Sequence, residues 1–274
     1  MKHNILILFI CFTLKSFSQE KPIAFHSEII YKMVYQPDST NKNNIKEEYA
    51  ELRLNDTISV FRTIAKRKID SVESSVDLSR IPPSFYMENN TDIHYTIVKK
   101  PDSVLHYEVL HRDLLDLYYF SESKNVFEWE INSDTMIIAD ISCQKATLNF
   151  GGRKWIAWFA LDIPVSDGPY KFCNLPGLIL SVHDTQEYWR FDVVSINPDK
   201  RGNSWIYTVS DSPPQSITKT DFFKKKAIYR KSIFETLLAE GRFNGVKQTA
   251  LEKVRIFYNN EANRDNNWIE LYPQ

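Results

Sequence analysis

Three residue types that nucleophilic catalysis uses occur in the second half of the chain: Cys143, then Asp162, then His183 with Asp184 beside it. In such a site a thiolate attacks, an imidazole takes the proton and a carboxylate orients the imidazole. The same residues have ordinary uses. A cysteine on an apolar strand is usually a small buried hydrophobe, and reactivity requires an accessible, electropositive setting. Asp162, Asp167 and Asp184 flank turns, where Asp is common. The sequence holds neither a Gly-x-Ser-x-Gly elbow nor a His-Glu-x-x-His zinc pair. His106 and His111 are five residues apart, so on one strand they face opposite sides and make no ligand pair. The expectation is a protein that works without catalytic residues, metal or cofactor. The alternative is a hydrolase built around Cys143, His183 and Asp184.

A second group of residues points to binding. Trp155, Trp158, Phe159, Tyr170 and Phe172 crowd more aromatic surface into a short stretch than one hairpin needs for its own closure. One face is expected to pack beneath a C-terminal helix. The other, with Trp158 between Ile156 and Ala160, is expected to meet an apolar small molecule or a segment of an envelope protein.

These residues must be positioned by strands. Ile29, Tyr31, Met33 and Tyr35 alternate, as do Ala50, Leu52 and Leu54. Further β-prone runs cover 58–63, 93–99, 104–111, 114–120, 126–132 and 135–140, which together read as an antiparallel meander. Gly151-Gly152 suits a two-residue hairpin turn with positive φ at both positions, which sets Trp155 opposite Leu148 and Ala157 opposite Ala146. Strands are also expected over 170–183, 188–196, 204–209 and 268–272. Pro176-Gly177 within the first of these requires a bulge or kink that turns Leu175, Leu178 and Leu180 into the core. Residues 65–84 read as a long loop or lid with room for a helical turn. After Pro213-Pro214 the period changes to that of a helix over 221–240, capped by Thr218 or Thr220 and ended by Gly241, with a second helix over 246–258. The fold class is mainly β with some α: a large curved antiparallel sheet, a half-barrel in outline, with one or two C-terminal helices packed on it.

Residues 1–18 have the layout of a secretory leader. Lys2 precedes an apolar run from Asn4 to Leu14, and Ser16-Phe17-Ser18 supplies the small residues that signal peptidase needs. The mature chain is therefore expected to begin at Gln19, to form a single β-rich domain over 19–274, and to be exported to the periplasm or cell surface. Its apolar runs are too short to cross a bilayer. Losing Lys2 and Lys15 takes 34 Lys and Arg to 32, against 35 Asp and Glu, a balance that argues against a nucleic-acid partner. Only Cys143 and Cys173 then remain. An oxidising compartment favours one bridge between them.

Several short motifs recur in order: Cys143-Gln144-Lys145-Ala146, Gly152-Arg153-Lys154-Trp155, Ala157-Trp158-Phe159, Ile163-Pro164, Gly168-Pro169-Tyr170-Lys171-Phe172 and Leu175-Pro176-Gly177-Leu178-Ile179. With Asn267-Trp268-Ile269-Glu270-Leu271 near the C-terminus, they resemble the GLPGLI family of secreted bacterial proteins. The family hexapeptide begins with Gly where this chain has Asn174, the residue best able to replace Gly at positive φ. The resemblance implies Cys143 without requiring Cys173, which leaves an unpaired, buried Cys143 open beside the bridge. It implies no activity.

Overall fold

The structure, a computed structural model, describes residues 22–110, 117–204, 206 and 213–272. The expected leader, His111, and parts of the expected strands at 104–111, 114–120 and 204–209 lie outside the described residues.

The protein is mainly β. A 12-stranded open sheet runs in the order β14, β7, β6, β5, β4, β3, β2, β12, β11, β10, β9, β8. Its strands are β2 (Ser27–Tyr35), β3 (Lys46–Leu54), β4 (Ser59–Thr63), β5 (Tyr95–Lys99), β6 (Ser103–Val109), β7 (Leu117–Ser123), β8 (Glu130–Ile138), β9 (Ile141–Phe150), β10 (Arg153–Ala160), β11 (Leu178–Asp184), β12 (Trp189–Asn197) and β14 (Gln215–Ser216). All pairings are antiparallel except that of β14 with β7, which makes the sheet mixed. Two short strands, β1 (Ile23–Phe25) and β13 (Gly202–Ser204), pair separately. Helices α1 (Ile64–Glu73) and α2 (Pro83–Glu88) follow β4, and α3 (Lys219–Ala239) and α4 (Gln248–Arg264) follow the sheet.

Alternation explains the main core. Ile29, Tyr31, Met33 and Tyr35 turn inward from β2 and are buried, while the residues between them are only partly covered. Strands β4 and β5 are buried along their whole length, so both of their faces are covered. The β9–β10 hairpin has the expected register, with Trp155 opposite Leu148 and Phe159 opposite Gln144. Gly151 and Gly152 take φ of 60° and 75°, as a tight primed turn requires.

Four local expectations differ. Residues 65–84 are not a loop throughout: Thr63 caps α1, its side chain accepting from the Lys66 amide at 3.1 Å. The helix buries Lys66 and Asp70 beside Ile69, and these charges hide its apolar stripe in the sequence. A single strand, β8, replaces the two expected at 126–132 and 135–140, because an irregularity between Ile131 and Thr135 absorbs the turn-like residues. From 170 to 177 the chain is not extended. Tyr170 and Asn174 hold φ of 51° and 72°, so this segment crosses the sheet rather than joining it. Residues 268–272 make no strand either, although the Leu271 amide donates to the Gly151 carbonyl at 2.7 Å.

The disulfide expectation is corrected as well. Cys143 and Cys173 are both free and buried. Cys173 lies on the crossing segment, bridged to Asp167, and its carbonyl accepts from Trp129 Nε1 at 2.8 Å. Cys143 enters the core from β9 instead. Burial raises both thiols, Cys173 to about 11, which keeps them protonated and slow to oxidise. Alkylation in denaturant without reductant is expected to label two thiols; a product protected at both positions would contradict the arrangement.

Candidate functional site

The residues expected to act together do not meet. His183 pairs with Ile156, and Asp184 with Trp155, in the β10–β11 ladder, while Cys143 lies four residues along β9 from Thr147, the partner of Ile156. At about 3.3 Å per residue this separates Cys143 from His183 by more than ~13 Å. Asp184 orients no imidazole. It accepts from Arg153 Nη1 at 2.6 Å and from the Tyr188 amide at 2.7 Å, whereas His183 Nε2 faces Glu187 at 3.4 Å.

The aromatic set is divided. Trp155, Phe159, Tyr170 and Phe172 are fully buried, with Phe172 against Trp155 at 4.7 Å between ring centroids. Trp158 lies on the opposite face of β10, half-buried beneath Lys145. Leu175, Leu178, Ile179 and Leu180 are all buried in the core.

The motif residues hold the C-terminal segment down. Arg153 is the hub: its Nη2 donates to Asn267 Oδ1 and the Trp268 carbonyl, both at 2.6 Å, and its Nε to the Ile269 carbonyl at 3.0 Å. Tyr170 donates to Glu270 Oε1 at 2.6 Å, and Lys171 Nζ to the same oxygen at 2.5 Å. Motifs 99 to 116 residues apart in sequence are thus one clamp in space.

Clamp, sheet and C-terminal helices enclose a cavity of about 340 Å³. Tyr95 on β5 and His106 and Glu108 on β6 form its floor, with Tyr170. Tyr35 and Trp189, stacked at 4.9 Å, form one wall. Phe223, Lys226, Arg230 and Ile233 of α3 and Phe257 and Ala262 of α4 close it from above. Trp268 lies under Lys226, whose ammonium is 4.9 Å from a Trp268 ring.

The charges on these walls are paired. Glu108 accepts from Lys226 at 2.7 Å and faces His106 Nε2 at 2.8 Å. Burial alone would raise the Glu108 carboxyl, but Lys226 and His106 hold it well below the usual range, so it is ionised. Burial lowers His106 despite Glu108 and keeps the ring neutral. With Nε2–H aimed at a carboxylate, Nδ1 is left as an acceptor. Burial and the nearby Glu108 raise Tyr95 well above its ordinary value, which keeps its hydroxyl a donor. His94 is lowered to about 4 by the protein around it, a shift that solvent reaching its accessible ring moderates. Among the described residues, no cluster of three or more His, Cys, Asp and Glu is arranged to hold a metal ion.

Sequence reasoning did not pick out these residues. The one available signal was the period of two in β6, which puts Val104, His106 and Glu108 on one face; a histidine and a glutamate there mark an inward polar site.

By architecture the chain is an open, mainly β sheet with helices covering one end of its core face and a polar-floored cavity beneath them. Residues 151–181 match the model of the GLPGLI family, described as "Protein of unknown function (Porph_ging)". No curated protein matches the sequence. Among solved structures, those of PNGF-II in its P21 and C2 space groups are 12% identical to it, with TM-scores of 0.48 and 0.49. They cover 73% and 75% of this chain, which spans about a third of their length, 32% and 33%. No helix among the described residues is long and apolar enough to cross a membrane.

Proposed function

We propose that this is an exported binding protein of the cell envelope, which holds an apolar ligand in the cavity between its sheet and its C-terminal helices. The leader-like segment at 1–18 supports export. The cavity carries the binding reading: about 340 Å³, lined by aromatic rings set among charged side chains, within the range of small-molecule pockets. Its cover is loosely attached. None of the residues of α4 is buried, and Phe257, which lines the cavity, is 58% exposed. A cover with so little buried surface opens at low cost and gives a ligand its way in. The reading of a Cys143, His183 and Asp184 hydrolase has less support, because those side chains are dispersed over the sheet and Asp184 is taken up by Arg153.

Native mass spectrometry of protein recovered from its own envelope fraction tests the proposal. Wild type is expected to carry an additional small mass, and Ala262→Trp, which fills the cavity from α4, is expected to lose it. Because Ala262 is on a helix without buried residues, the substitution should change stability by less than about 1 kcal/mol. Retention of the mass by a folded Ala262→Trp variant would move the site elsewhere.

A further inference from the structure

Two side chains on the cavity floor have polar atoms without partners. Tyr95 and His106 are 4% and 2% exposed, and neither the Tyr95 hydroxyl nor His106 Nδ1 makes a hydrogen bond. Their rings are neighbours, 5.4 Å apart. A buried polar group left unsatisfied costs free energy, and native proteins leave few of them. One is a donor and the other an acceptor, so a single group that both accepts and donates satisfies both. A hydroxyl is such a group.

The rest of the wall restricts what carries that hydroxyl. Among the described lining residues each carboxylate faces a cation: Asp92 with Lys46 and Glu261 with Arg264 at the exposed rim, Asp265 with Arg230, and, buried, Glu108 with Lys226 and Glu270 with Lys171 and Lys219. In the buried part a charged ligand would have to break one of these last two pairs or be buried without a partner, and either is unfavourable. Arg230 Nε is a further donor without a partner, which can take an acceptor oxygen or the face of a ring. A sugar would have to find partners for many hydroxyls among side chains that are already paired with one another.

We infer that the ligand of this cavity is a neutral, mainly apolar molecule bearing a single hydroxyl, an alcohol or a phenol, which accepts from Tyr95 and donates to His106 Nδ1. The inference rests on the binding reading above and assigns its chemical class.

Calorimetric titration with 2-naphthol, 2-methoxynaphthalene, naphthalene and methyl glucoside tests it. On the wild-type protein, 2-naphthol is expected to bind about tenfold more tightly than naphthalene, because only the former satisfies the buried pair. The methoxy compound keeps the acceptor but cannot donate to Nδ1 and should fall between them. Methyl glucoside should not bind detectably. Tyr95→Phe removes only an unpartnered oxygen, so the variant should melt at or above the wild-type temperature, lose the preference for 2-naphthol and keep its affinity for naphthalene. Equal binding of 2-naphthol and naphthalene by wild type, or binding of methyl glucoside tighter than both, overturns the inference while leaving a binding cavity in place. If none of the three naphthalene compounds binds, and the native protein carries no extra mass, the binding reading fails and the inference with it.

Discussion

Lys171→Met is expected to destabilise the protein by about 3–5 kcal/mol, the usual cost of removing one partner from a buried ion pair. Lys171 is fully buried, and its ammonium contacts Glu122 and Glu270 while lying 4.5 Å from the centre of the Phe120 ring. Lys219 of α3 is bound to the same two acids. With Met in place of Lys171, packing is nearly conserved, but two buried carboxylates share one cation. The effect depends on pH. Burial would raise Glu270, yet Lys171 and Lys219 override it and lower the carboxyl to about 2 in the folded protein. A folded pKa below the unfolded value contributes stability that is present above the unfolded value, near 4.5, and is lost as pH falls toward about 2. The wild type should therefore lose stability over that window, and the deficit of the variant should shrink at pH 3 relative to pH 7. Denaturant unfolding of both proteins at the two values measures this. A deficit below about 1 kcal/mol at pH 7, or one unchanged at pH 3, would mean that the pair does not hold the clamp.

Much of the strand layout is legible because it depends on local rules. Positive φ at Gly151 and Gly152 fixes the hairpin, and the hairpin fixes which residues oppose one another from Trp155 to Phe159. Thr218 and Gly241 bound α3 for similarly local reasons: one accepts an early helix amide, and the other adopts φ of 72° past the last turn. The cavity depends on distance. Glu108 and Lys226 are 118 residues apart, and Arg153 and Asn267 are 114 apart. No period or spacing encodes which face of α3 meets which strand. The aromatic stretch at 155–172 misleads for a related reason. Its size suggests an open surface, but a sheet of 12 strands bending round one core needs that volume inside, and the crossing segment supplies it. Charges mislead in the other direction. Lys66 and Asp70 are buried against each other within α1, and Lys99 and Lys171 are buried against Asp167 and Glu270, which the fold brings from far along the chain.

Gly177→Ala is expected to lower stability by about 3 kcal/mol or more, at the upper end of what overpacking costs. A left-handed φ is the usual reason for a glycine in a turn, but Gly177 is not among the positive-φ residues; Tyr170 and Asn174 hold those conformations in this segment. The requirement is space. A Cβ at 177 would lie 2.0 Å from the carbonyl oxygen of Ala160 and 2.6 Å from its carbon. These are backbone atoms, and they cannot move alone. Ala160 pairs with Leu178 at the end of the β10–β11 ladder, the Ile163 amide donates to the Ala160 carbonyl at 3.2 Å, and the Leu178 amide donates to the Ile163 carbonyl at 3.0 Å. Relieving the contact would therefore separate the two strands where Leu178 and Ile179 enter the core. Asn174→Gly provides the contrast, since it restores the residue with which the family hexapeptide begins. It relaxes a φ of 72° and gives up one exposed hydrogen bond, from Asn174 Nδ2 to the Lys124 carbonyl at 2.7 Å, so its net effect should stay within about 1 kcal/mol. Thermal or denaturant unfolding of the two variants separates the explanations. A large loss for Gly177→Ala beside a small change for Asn174→Gly is expected, and a Gly177→Ala protein as stable as wild type would exclude the close approach as the reason for this glycine.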